Sequence, residues 1–148
     1  MGFASERAGD KFGATSNLNF DQYEQDNTLQ LIYEDDSGRR TVGLRVKDRP
    51  NESIQPALEL VDKLARTNNA TERAPLEAEL QKLGERYGAN TAVRFFAGKQ
   101  ADDSIVRLAD KQGRPRLVLK VDGSGAASIE FLDESGTVVQ RIPAPKSS

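Results

Sequence analysis

The 148-residue chain contains neither cysteine nor histidine. Those absences exclude disulfides, thiol nucleophiles, the usual zinc and iron ligand sets, and the side chain most often used as a general base near neutral pH. Apolar residues are scarce as well, at 36% of the chain with a mean hydropathy of -0.63. A core built from so little must be thin, shared with another chain, or capped by small elements. No apolar run approaches the roughly 18 residues of a membrane-spanning helix, and Met1 to Arg7 lack the apolar stretch of a signal peptide. This chain is therefore expected to be soluble, without membrane insertion. An excess of one charge is missing too: 21 basic residues face 23 acidic ones, for a net charge of -2. That balance argues against a nucleic-acid partner, which would draw its affinity from clustered Lys and Arg.

What the chain does contain, it contains twice. Placing residue i over residue i+75 superimposes Leu18 on Val93, Phe20 on Phe95, Leu31 on Val106, Tyr33 on Leu108, Asp35 on Asp110 and Gly38 on Gly113. The register holds through Val42, Leu44 and Val46, which fall on Leu117, Leu119 and Val121. Reuse of one hairpin design at apolar, turn and charged positions predicts repeated β units, each needing neighbours to bury its apolar face.

The organisation follows from the change of period along the chain. Residues up to about Thr15 read as a loop or a frayed edge strand around Phe3. Residues 16–49 form a first β unit, with Leu18 and Phe20, then Leu29, Leu31 and Tyr33, then Val42, Leu44 and Val46 alternating with polar neighbours. In 50–90 the period becomes helical. Ile54, Leu58, Val61 and Leu64 share one face behind a Ser53 cap, and Leu76, Leu80, Leu83 and Tyr87 share a second, ending near Gly84 or Gly88. These two helices make an αα-hairpin inserted between the β units. Residues 91–142 return to alternation in five segments, and 143–148 read as a disordered tail.

Three turns of the second unit share the form Asp-x-x-Gly: Asp110 to Gly113, Asp122 to Gly125 and Asp133 to Gly136. Asp side chains bond turn amides and Gly accepts positive φ, so hairpin turns account for the pattern. A calcium loop needs alternating oxygen ligands and a distal bidentate Glu, which these turns lack. Gly123 to Ala127 leads into a strand rather than the helix that a phosphate cradle opens. Asp21, Glu24 and Asp26 beside Tyr23 read as an acidic loop rather than paired catalytic carboxylates. Arg114 and Arg116, with Arg39 and Arg40 in the first unit, are expected to pair across strands with acids such as Glu130. Candidate binding residues cluster where a loop with aromatic and charged groups interrupts the repeat: Phe20, Tyr23, Asp26, Asp48, Arg49 and Asn51.

Phe20 to Asp26, Gly43-Leu44, Asp48-Arg49-Pro50, Arg114 to Leu119 and Phe131 to Asp133 resemble an uncharacterised bacterial protein family. Over most of the chain's length the resemblance implies repeated β-hairpin units and a helical insertion, with this chain as the family's C-terminal part. Longer members carry further β units and often a hydrophobic N-terminal segment, which implies envelope association for those relatives. The resemblance transfers no activity and no catalytic residue.

Together these readings predict a single α+β domain over 1–148: an antiparallel meandering β-sheet of two related halves with an inserted αα-hairpin laid on its apolar face. Two short helices cover only a few strands, so further cover is expected from the sheet itself or from a second chain. The expected function is a non-enzymatic structural or protein-interaction β module, self-associating or binding a protein, with no catalytic residue, metal or cofactor. A small-ligand or carbohydrate-binding β module, using Tyr23, Arg49 and Asn51, is the alternative.

Overall fold

Period-2 alternation becomes nine antiparallel strands in one sheet whose spatial order is the chain order. The computed structural model describes residues 2–8, 11–89 and 91–143, without the side chains of residues 3, 7 and 8; all of the expected tail at 143–148 except Pro143 lies outside the described residues. The strands are β1 (Gly2–Ala8), β2 (Lys11–Asp21), β3 (Asn27–Asp36), β4 (Arg39–Asp48), β5 (Ala92–Gln100), β6 (Asp103–Ala109), β7 (Pro115–Val121), β8 (Ala127–Leu132) and β9 (Val138–Ile142). Helices α1 (Gln55–Arg66) and α2 (Ala70–Ala89) lie between β4 and β5 in the chain. The N-terminal stretch, read as a loop or a frayed edge strand around Phe3, is an edge strand, β1, followed by the first half of β2. Ladder pairing overrides weak local propensity there, with Thr15 opposite Glu34 and Ala14 opposite Asp35.

The sheet's two faces follow from its register. One cross-strand row runs Leu18, Leu31, Leu44, Ala97, Val106, Leu119, Ile129, Ile142, aliphatic over eight strands. Beside it on the same face runs Phe20, Leu29, Val46, Phe95, Leu108, Leu117, Phe131. The opposite face carries Asn19, Gln30, Arg45, Phe96, Arg107, Val118, Glu130, Arg141. The best-buried residue of the sheet and much of its core sit on this polar face. Phe96 is 1% exposed, and Gln30, Ile32, Val118 and Glu130 are buried with it.

Two features explain a core on the polar side. Gly43 and Gly98 are direct cross-strand partners, and they leave a floor without side chains. A Cβ on Gly98 would lie 2.6 Å from the Gly43 Cα, and one on Gly43 would lie 2.9 Å from the Phe96 ring. The ring fills that gap, as aromatic side chains do beside sheet glycines. Arg45 and Arg107 flank it in register, and the Arg107 guanidinium stands 5.7 Å from the ring centroid. Long cationic side chains lay their methylene stems over apolar surface while keeping their charge in water.

Four ladders shift register, between Phe20/Asp21, Val46/Lys47, Leu108/Ala109 and Phe131/Leu132. All four lie at the sheet end that carries the β2–β3, β4–β5, β6–β7 and β8–β9 connections, leaving Thr28, Arg94, Arg116 and Val139 as the extra residues. Bulges bend a strand and sharpen its twist, so the deformation is concentrated at one end. The i+75 pairs fall on β2/β5, β3/β6 and β4/β7, strands that run in opposite directions. Their turns also differ. Asp36 pairs with Arg39 across a two-residue loop with Ser37 and Gly38 at φ 52° and 92°, whereas the Asp110 loop is longer and ends in a bulge.

The helices pack on each other. Leu60 and Leu64 are buried against a half-buried stripe of Leu76, Leu80, Leu83 and Tyr87. Leu58 and Val61, expected on the packed face, are 48% and 50% exposed, because the contact is centred one position away. Asn69 caps α2 by accepting the Thr71 amide at 2.9 Å, and the helix runs through Gly84 to Ala89, ending beside Gly88, the later of the two expected positions. Arg73 donates to the Leu64 and Thr67 carbonyls, and the Tyr87 hydroxyl donates to the Ser53 carbonyl at 2.8 Å. Among the described residues, neither helix brings a Cα within 8 Å of any strand's Cα. The expected placement of the hairpin on the apolar face is therefore corrected: each helix spends its apolar stripe on the other.

Candidate interaction surface

With the helices elsewhere, the apolar sheet face stands open. Ten large side chains on it, from Phe12 and Leu18 on β2 to Ile142 on β9, are 38–52% exposed. Monomeric proteins seldom leave apolar patches of this extent uncovered. Toward β6–β9 the face forms an open groove of about 630 Å³, lined mainly by Val106, Leu119, Val121, Ile129, Ile142 and Pro143. Among the described residues no aromatic side chain lines it.

Among the described residues, the two central rows of this face carry no charge, and a charged cluster stands at one end. Asp35 accepts from the Arg40 guanidinium at 2.8 Å, from the Tyr33 hydroxyl at 3.1 Å and from the Gly38 amide at 2.8 Å. The Arg40 hydrogen bond, helped by the other two, holds the Asp35 carboxyl below its ordinary range despite burial. Lys99 shares that end, opposite Val42 and Ser104.

The polar face has the opposite character, its charges spent in cross-strand pairs. Arg45 meets Glu34 at 3.3 Å and Arg141 bonds Glu130, while at the β4–β5 end of the sheet Arg94 meets Asp48 at 2.6 Å. Glu130 thus pairs with Arg141 rather than with the arginines expected from the sequence. Arg114 bonds Asp110 at 2.8 Å, and Arg116 donates to the Leu132 carbonyl. On β4, Lys47 donates to Asn27 Oδ1 at 2.9 Å. Its amine is lowered by burial and by the adjacent Arg49 and Arg45 charges.

Each Asp-x-x-Gly turn uses its carboxylate internally. Asp122 Oδ1 accepts the Ser124 and Ala126 amides at 3.0 Å each, and Asp133 Oδ1 accepts those of Ser135 and Thr137 at 2.8 and 3.0 Å. Gly113, Gly125 and Gly136 have φ of 77°, 87° and 84°, the left-handed conformation that such a loop requires. Ser hydroxyls followed by these amides lower the Asp122 and Asp133 carboxyls. At Asp110 burial pushes upward but is outweighed by the Arg114 and Gln112 amides and the Arg114 guanidinium.

The six sequence-derived binding residues divide by what they touch. Phe20 lies at the end of the apolar face and is half exposed. Tyr23 stands 87% exposed at the tip of the β2–β3 loop. Arg49 donates to Asp26 at 3.0 Å and to the Asn27 carbonyl at 2.9 Å, while Asp48 is held by Arg94. Asn51 is exposed on the β4–α1 junction. That junction is stapled to the β2–β3 loop. The Ile54 amide donates to the Glu24 carbonyl at 2.9 Å, Gln22 donates to the Pro50 carbonyl, and Gln25 donates to that of Glu52. These contacts anchor the start of α1 to the sheet.

Sequence reasoning missed the groove residues, which belong to ordinary strand alternation. Their distinguishing signal is that the aliphatic row continues over eight strands, with no element among the described residues wide enough to cover it. No family model matches the chain, and neither a curated protein nor a solved structure gives a significant match, so the surface chemistry alone carries the functional reading.

Proposed function

We propose that this chain is a non-enzymatic β-sheet module that acts by docking its apolar face on another protein surface. One observation carries the reading: the aliphatic row from Leu18 to Ile142 is uninterrupted, while the opposite face covers Phe96 with long cationic side chains and pairs Arg45 with Glu34 and Arg141 with Glu130. In the same reading the chain is built from two related β units with the helical hairpin inserted between them, in the manner of the bacterial family that the sequence resembles. The i+75 correspondences of Leu31 with Val106 and Leu44 with Leu119 support that relation, since all four stand in one cross-strand row.

A small-ligand reading draws support from the groove, whose volume is that of a drug-sized ligand site. Its aliphatic lining suits an apolar ligand and gives a sugar ring no aromatic face to stack on. The docking reading is tested by Leu31→Lys/Leu119→Lys, with circular dichroism as the check on folding. Loss of association, or loss of anilinonaphthalene sulfonate (ANS) binding by a free face, is expected. A wild-type protein that neither associates nor binds the dye contradicts it.

A further inference from the structure

We infer that the surface covering the apolar face is a second copy of this chain, packed sheet on sheet. The inference rests on the docking reading above and adds the identity of the partner.

Width is the first argument. Strands lie about 4.8 Å apart, so exposed apolar residues on β2 through β9 span roughly 34 Å. A helix, about 10 Å across, covers some two strands, and an extended peptide covers fewer. Only another broad sheet matches the face in one contact, and an identical chain brings one of equal width. Area is the second argument. Ten side chains at 38–52% exposure offer about 800 Å² of apolar surface, the contribution of one partner to a standard stable interface.

Charge is the third argument. The two rows through the middle of the face contain no charged residue, so two copies meet there without stranding a charge. Among the described residues, the charges that flank these rows stand at the strand ends, Lys99 and the Asp35–Arg40 pair at one and Asp48, paired with Arg94, at the other, where they reach the rim. An isologous two-fold contact of this kind closes on itself, and its two sheets would lie about 10 Å apart as in a β-sandwich.

Sedimentation velocity over a protein concentration series tests the inference directly. The wild type is expected to sediment as a dimer that dissociates on dilution, and Leu119→Lys as a monomer at every concentration with an unchanged circular dichroism spectrum. Leu58→Lys, with similar exposure but on α1, is expected to remain dimeric. Leu31→Lys, at another point of the same row, guards against a fold-specific failure of the first variant. A wild-type monomer that binds ANS at its face overturns self-pairing while leaving the docking reading intact. A wild-type monomer that does not bind the dye overturns both, and a dimer that survives both Lys substitutions overturns self-pairing through this face.

Discussion

Removing the Phe96 ring tests where the core lies. The ring is 1% exposed, fills the floor left by Gly43 and Gly98, and supports the stems of Arg45 and Arg107. Phe→Ala at buried sites costs about 3–5 kcal/mol. The lower end applies, because flexible arginine stems can settle into part of the space, so Phe96→Ala is expected to cost about 3 kcal/mol. Phe96→Leu, which retains most of the volume, should cost about 1 kcal/mol. With a urea m-value of about 2 kcal/mol/M, the alanine variant's midpoint falls by roughly 1.5 M. The measurement belongs in a Leu119→Lys background, so that subunit association does not contribute to stability. In that background Leu31→Ala, on the open face at 49% exposure, should cost no more than about 1 kcal/mol. A Leu31 cost equal to or above the Phe96 cost would refute the placement of the core on the polar face.

Three further outcomes follow from the same structure. Gly98→Ala drives a methyl into the Val42 carbonyl and should cost about 2–3 kcal/mol, whereas Gly84→Ala, with open space around it in α2, should gain about 0.5–1 kcal/mol; paired urea titrations read both. Gln30→Met removes a buried Oε1 that has no hydrogen-bond partner, and exposed Asn19 can turn its freed oxygen to water, so stability should hold or rise by about 1 kcal/mol. A fall of 2 kcal/mol would show that the Gln30–Asn19 bond outweighs the orphan. Asp35, Asp110, Asp122 and Asp133 are each held below their ordinary value of 3.8 when folded. Their contribution is therefore complete above about pH 4 and lost as pH falls through the folded values. Asp35→Asn should flatten part of that decline in acid titrations of stability, and stability that rises from pH 4 toward pH 2.5 would contradict it.

Much of the sheet was legible because its signals are local. Asp-x-x-Gly at 110, 122 and 133 fixes turns, and the apolar alternation between them fixes strands in a meander. The first residues were less legible: Lys11 to Ser16 have little apolar alternation and become strand by pairing with β1 and, from Gly13 onward, with β3. The helix contact was misplaced for a related reason. Leu58 and Val61 satisfy the helical period as well as Leu60 does, and only the docking of α2 selects the stripe through Leu60 and Leu64. The polar-face core was illegible because Phe96 stands between Phe95 and Ala97 in a run that hides its direction. Its cover comes from arginines two strands apart that register alone brings together. The loop residues Tyr23, Asp26 and Arg49 stood out by composition, whereas the broad apolar surface is a property of rows across strands that no single segment displays.

The mass of the purified chain in solution, measured against concentration, addresses the central claim most directly. The account predicts twice the chain mass at micromolar concentrations and above, falling to a single chain mass for Leu119→Lys. A folded wild-type chain of single mass at every concentration, with its apolar face closed to ANS, would contradict it.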